Sequence, residues 1–149
     1  MSEANRGAKI SFVKTYEILE HTADIRIRIF GESFSGLFIN AAAAMFDILA
    51  GRKDKQGTAV KALIIQEAQD KEELFINWLN ELLSLSAAKE IIFSEFKVNK
   101  LTNTSLDIEC TAFPSSEYKI NTEIKAATYH GLTIQTKDTG WEAEVVLDV

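Results

Sequence analysis

Carboxylates gather at two places in this chain, EHTAD at residues 20–24 and WEAEVVLDV at residues 141–149. In the second stretch Trp141, Ala143, Val145, Leu147 and Val149 alternate with Glu142, Glu144, Val146 and Asp148. A period of two is that of a strand with one buried and one polar face, so the polar face is acidic. With the chain ending at Val149, its terminal carboxylate would stand beside Asp148. Two such groups form a site for a hard cation if a third carboxylate approaches, because Ca²⁺ and Mg²⁺ take oxygen ligands. Spacing alone does not bring that third group, and an acidic strand face is more commonly just solvated. In EHTAD, His21 sits between Glu20 and Asp24. The residues alone leave it open whether His21 is a ligand, a proton carrier or the hydrogen-bonding anchor of a turn. His130 precedes Gly131 in TYHGLT, a hairpin-like place where a polar residue is ordinary.

These residues must be held by secondary structure. A strand is expected around SFVKTYEIL, followed by the EHTAD turn and by IRIRIF, in which Ile25, Ile27 and Ile29 alternate with Arg26 and Arg28. If that pleat already holds at Asp24, its side chain points with the arginines, away from the core. A helix is expected next, from an N-cap at Ser33 to a stop at Gly51, with Phe34, Leu37, Phe38, Ala41, Met45, Ile48 and Leu49 on its apolar stripe. GRKDKQG reads as a polar turn and TAVKALIIQEA as a strand. A second helix opens at Asp70 with Glu73 three residues on, the spacing of a capping box, and ends near Ala88. Its stripe is Leu74, Phe75, Trp78, Leu79, Leu82 and Leu83. Strands then follow in succession: IIFSEFKVNKL, TSLDIECTAF, a loop at Pro114, IKAATYH, a turn at Gly131, LTIQT, a turn at KDTG, and the acidic final strand. Short turns between late strands imply antiparallel pairing. The expected fold is α+β and two-layered, with two helices packed on one face of a mixed, largely antiparallel sheet.

Composition narrows the function classes. The chain has 149 residues, enough for one domain that buries its own core, and residues 11–149 are read as that domain behind a short tail at 1–10. The net charge of −6 argues against a surface built to grip phosphate backbones. A single cysteine, Cys110, excludes an internal disulfide, and its apolar neighbours make it a small core residue rather than a nucleophile. No apolar run nears the roughly twenty residues of a membrane span, and MSEANRGAKI lacks a signal core, so a soluble cytoplasmic protein is expected. No HxxxH, CxxC or GxSxG pattern and no phosphate-cradling glycine loop occurs.

EHTADIRIRIFG, LFINAAAAMFDIL, FINWLNELLSL and the closing pair KAATYHGLTI and WEAEVVLDV, in this order, resemble the archease family from about Tyr16 to Val149. That resemblance implies a small non-catalytic accessory protein of the RtcB-type RNA ligase, which joins a 3′-phosphate or 2′,3′-cyclic phosphate end to a 5′-hydroxyl, notably in tRNA splicing. It implies promotion of the ligase's GTP-dependent guanylylation and of its multiple turnover, with tRNA met only through the ligase. It implies a divalent cation on Asp24, Asp148 and Val149, Ca²⁺ before Mg²⁺ or Mn²⁺, which supplies the third carboxylate missing above. His21, Lys125 and His130 are then expected to support the site or face the partner, in a protein that is a monomer or weak oligomer. The competing readings are a metal-dependent hydrolase using Asp24, Asp148 and His21, and a chaperone-like module of RNA processing.

Overall fold

Ile25, Ile27 and Ile29 are all buried, and the arginines between them are half-buried, so the alternation in IRIRIF is that of a one-sided strand. This strand, β2 (Ile25–Gly31), lies between β1 (Tyr16–His21) and the final strand β9 (Gly140–Asp148), and β9 also pairs with β8 (Ala126–Lys137). The four form an antiparallel sheet in the order β1-β2-β9-β8. A three-stranded antiparallel sheet contains β4 (Val60–Glu67), β6 (Ser105–Pro114) and β5 (Ile91–Leu101), in the order β4-β6-β5. The short strands β3 (Ala50–Arg52) and β7 (Tyr118–Ile120) form a third. The computed structural model describes residues 14–52 and 57–149. The tail expected at 1–10, the start of the first strand and part of GRKDKQG lie outside the described residues.

The α+β expectation holds, and every ladder among the described residues is antiparallel. The strands are divided among three sheets rather than gathered in one. Helix α1 (Phe34–Leu49) packs on β2 and β9 and also meets β5, while α2 (Lys71–Lys89) lies along β8 and meets β4 and β5. One hydrophobic cluster joins both helices to the inner faces of the two larger sheets. Trp78 of α2 is fully buried in it, edge-on to Phe96, with its Nε1–H donating to the Phe38 carbonyl at 2.9 Å.

Local chemistry explains the helix ends. Ser33 caps α1 by accepting from the Gly36 amide at 2.9 Å. Gly31, at the end of β2, allows the chain to turn against that cap, since a Cβ there would lie 2.4 Å from the Leu37 nitrogen. The stop expected at Gly51 falls earlier, because Ala50 is already extended and begins β3. Asp70 caps α2 by accepting from Glu73 at 2.8 Å. Glu73 reaches back to the Gln69 amide, one residue before the cap, so the box is displaced by one position. The helix runs on to Lys89 and is closed by Glu90 at φ 56, a left-handed residue with no glycine to mark it in sequence.

The expected turn at Gly131 is instead a bulge inside β8. The ladder to β9 passes from Thr128↔Val146 to Thr133↔Glu144, so Tyr129 to Leu132 face Val145 alone. Gly131 takes φ +70, and the Arg26 guanidinium lies where its side chain would be, with Nη1 3.1 Å from an added Cβ. Arg26 therefore crosses β9 over its partner Val146. This corrects the reading of Val146 as a polar-face residue: it is 4% exposed.

Candidate functional site

The acidic outer face of β9 has two ends with different surroundings. Near its start, Arg28 of β2 stands opposite Glu144. Arg28 Nε and Nη2 donate to Glu144 Oε2 at 3.1 and 2.8 Å, and Nη1 donates to Glu17 Oε1 at 3.1 Å. Glu142 Oε2 lies 3.7 Å from Nε and 4.0 Å from Lys137 Nζ. The charged form of Arg28 is favoured first by the hydrogen bond to Glu144, then by the charges of Glu144, Glu142 and Glu17. These carboxylates are occupied in holding β1, β2 and β9 together.

The far end differs. Ile25 pairs with Leu147 at the end of this ladder, so Asp24, in the bend that leads into β2, and Asp148, next after Leu147, both border its last pair. Were the pairing to continue for one residue, the two backbones would be about 5 Å apart, within which two carboxylates can share a cation. On the other flank Ala126 pairs with Asp148, and the Lys125 amide donates to the Asp148 carbonyl at 2.7 Å. Asp24 is exposed, and Asp148 and Val149 are half-buried, Val149 packing against the core. No hydrogen bond or ion pair joins the side chains of Asp24 or Asp148 to another described residue. Free oxygen donors of this kind suit a hard cation. Among the described residues no three His, Cys, Asp or Glu side chains group closely enough to hold a metal. The corner thus offers the side-chain carboxylates of Asp24 and Asp148, with Val149 next to the second.

The other expected site residues are placed less closely. A bulge between Ile18 and Glu20 shifts the β1 register, so His21 pairs with core-facing Ile25 while Glu20 pairs with Arg26. Paired residues share a sheet face, which puts His21 opposite in face to Arg26 and Asp148. His130 is exposed within the β8 bulge. Next to it, burial first and then the charges of Glu73 and Asp70 raise the Tyr129 phenol, which places the bulge near the start of α2. Cys110 is buried, and desolvation pushes its thiol up to about 12, as suits a core residue.

Two positioning residues escaped the sequence reading. Arg28 was legible only as an outward residue, because its carboxylate partners lie 11 and 116 positions away. Asn80 of α2 accepts from the Ala127 amide at 2.7 Å and donates to the Ala127 carbonyl at 3.1 Å. It thereby fixes β8 next to the residues flanking Asp148. Its one signal was a polar residue inside the apolar run INWLNELL.

Comparisons with known proteins agree with this architecture. A sequence model of the Archease protein family (MTH1598/TM1083) matches residues 16–149. The chain is 36% identical over 142 residues to Protein archease of Methanosarcina barkeri, covering 91% of this chain and 97% of that one. It is 32% identical over 143 residues to Protein archease of Pyrococcus furiosus, covering 92% and 100%. The solution structure of Methanobacterium thermoautotrophicum protein 1598 superposes with a TM-score of 0.71 at 30% identity, covering 92% of this chain and all of that one. At 23% identity the crystal structure of an archease, possible chaperone, from Thermotoga maritima shares the fold, with a TM-score of 0.58 over 89% of this chain and 96% of that one. With the family pattern running from β1 to the last residue and these relatives matched along nearly their whole length, this chain belongs to the archease family.

Proposed function

We propose that this chain is a non-catalytic activator of an RtcB-type RNA ligase, promoting the ligase's GTP-dependent guanylylation and its multiple turnover in tRNA splicing and RNA repair. The observation that carries the reading is the contrast along β9: Glu142 and Glu144 are taken by Arg28, while Asp148 and Asp24, both bordering the ladder's last pair, have no cation among the described residues. Asp24, Asp148 and the carboxylate of Val149 would hold a divalent cation, Ca²⁺ before Mg²⁺ or Mn²⁺, whose chemistry here is to place compact positive charge on an acidic surface. Asp24 supplies an exposed oxygen, and Asp148 one steadied by its pairing with Ala126 of β8. Lys125, whose backbone is bonded to Asp148, is the partner-facing or phosphate-facing residue of this corner. His130, exposed in the β8 bulge, faces the partner from farther off, while His21 lies on the other face of the sheet and is left to support the turn before Asp24. The covalent chemistry belongs to the ligase, and tRNA is met through it, in the cytoplasm.

The test is the rate of ligase guanylylation, measured with and without this protein. The expected result is acceleration by the wild-type chain and none by Asp24→Ala or Asp148→Ala, each folded by thermal melting. Two results overturn the reading: no acceleration by wild type, or full acceleration by both variants. RNA or nucleotide hydrolysis by the isolated protein, lost with Asp148→Ala, would replace it with the hydrolase reading.

A further inference from the structure

Among the described residues, β4 is an open sheet edge without the protections the other edges carry. The edge of β1 is bulged and carries Glu17 and Glu20. The edge of β8 is bulged, and Asn80 occupies both backbone groups of Ala127. β5 is bulged twice and presents Glu95, Lys97, Asn99 and Lys100. β4 runs for eight residues in unbroken register with β6, and on its outer face Leu63 and Ile65 are 55% and 63% exposed. Long, regular, apolar edges are the ones that recruit another strand.

The direction of its free backbone groups follows from one bond. The Ala68 amide donates to Thr104 O at 2.9 Å, continuing the register from Glu67↔Ser105. Antiparallel pairing alternates, so residues 60, 62, 64 and 66 turn their amides and carbonyls to β6. Lys61, Leu63, Ile65 and Glu67 turn theirs to the open edge. No hydrogen bond from another described residue reaches those outward groups.

We propose that this edge pairs with a second copy of itself, β4 against β4 about a two-fold axis at Ile64. In that register Lys61 faces Glu67 of the other copy, and Leu63 faces Ile65. Each contact occurs twice by symmetry. All four residues have outward backbone groups, so each facing pair exchanges both hydrogen bonds. The two neighbouring symmetric registers, centred on residue 63 or 65, separate Lys61 from Glu67 and set Lys61 or Glu67 against an apolar side chain. Charge therefore selects both the partner and the register. The product is one six-stranded sheet, β5-β6-β4 joined to its own copy, with Leu63 and Ile65 covered.

The test is sedimentation velocity of the full chain across a wide concentration series, paired with amide exchange. Wild type should pass from monomer to dimer. On that transition the amides of Leu63 and Ile65 should gain protection, while that of Ile64, already bonded to β6, should not change. Lys61→Glu should weaken the dimer about tenfold by opposing two acidic pairs, and Lys61→Glu with Glu67→Lys should restore it. Ile65→Lys, at an exposed position that leaves the core intact, should abolish it. Wild type monomeric throughout overturns the proposal, and amides at 63 and 65 protected at every dilution would mean that another part of the chain covers the edge. A dimer that survives Ile65→Lys, or that the double swap fails to restore, overturns it as well.

Discussion

Glu144 and Asp148 sit on the same face of the same strand, yet β2 sets Arg28 opposite the first, while the second lies just past the ladder's last pair, as does Asp24. One end of that face is a closed cluster of an arginine with Glu17, Glu142 and Glu144. The other holds two neighbouring carboxylates. Like charges side by side across strands are unfavourable, and an arrangement made only for stability would place a cation there. The first end binds strands together; on the proposed function, the second is left for something that brings positive charge.

The comparison can be broken most severely from beneath. Trp78 anchors α2, and α2 through Asn80 steadies β8 at the open end. Trp78→Ala should lower global stability by roughly 3 to 5 kcal/mol, since it empties a large buried volume and removes the indole bond to the Phe38 carbonyl. Denaturant titration measures it, and a loss below about 1 kcal/mol would deny that α2 is docked through this ring.

Arg28→Ala acts on the closed end alone. It leaves Glu17, Glu142 and Glu144 facing one another, so the melting temperature should fall, and the fall should shrink as added salt screens the repulsion. Arg28→Lys should recover only part of it, because a single ammonium cannot reproduce the fork that reaches Glu17 and Glu144 together. A salt-independent fall would show that Arg28 acts through packing rather than charge.

How much of this could be read from the chain depends on the range of each interaction. The alternation in IRIRIF and in WEAEVVLDV is local, and both strands appear where it places them. The caps at Ser33 and Asp70 are equally local. Val146 was misread because its burial comes from Arg26, a long side chain crossing from the neighbouring strand. The bulge at Gly131 looked like a turn because glycine marks a positive φ in either setting. The pairing of β3 with β7 joins segments about seventy residues apart, and neither carries a pattern of its own. At the site, Asp24 and Asp148 were each conspicuous, but only the β2–β9 register brings both to the same end of one ladder. The register shift that turns His21 to the other face is a one-residue irregularity at Leu19, to which hydrophobic periodicity is blind.

A smaller effect separates a carboxylate held by a neutral donor from those held by Arg28. The Tyr16 hydroxyl donates to Asp47 of α1, and burial, then that bond, then the Asp47 charge push the phenol up to about 12. The neutral phenol is the form the fold favours, since its value exceeds the ordinary 10. Its contribution is complete below about pH 10 and is lost as pH rises toward 12. Other groups titrate there too, Cys110 among them. The informative quantity is the difference between wild type and Tyr16→Phe, which should narrow over that window in thermal melts. A difference constant with pH would remove the bond from the stability of β1.

The smallest effect on stability is expected at the open end, and its sign is the sharpest test. Asp24 and Asp148 make no ion pair with a described residue, so replacing either removes repulsion and no support. In chelator, Asp24→Ala and Asp148→Ala should melt at or slightly above wild type, within about 0.5 kcal/mol, opposite in sign to Arg28→Ala. Adding Ca²⁺ should reverse the order. A cation that binds the native state stabilises it by mass action, so wild type should rise while the variants stay still. If Val149 contributes as proposed, a residue appended after it should blunt the rise without altering the melt in chelator, because it would move the chain-end carboxylate away from Asp148. Should Ca²⁺ raise all of these proteins alike, the cation binds elsewhere and the open end is merely solvated. Should either aspartate variant melt well below wild type in chelator, that carboxylate is held by a partner like those around Arg28, and the two ends of β9 are alike after all.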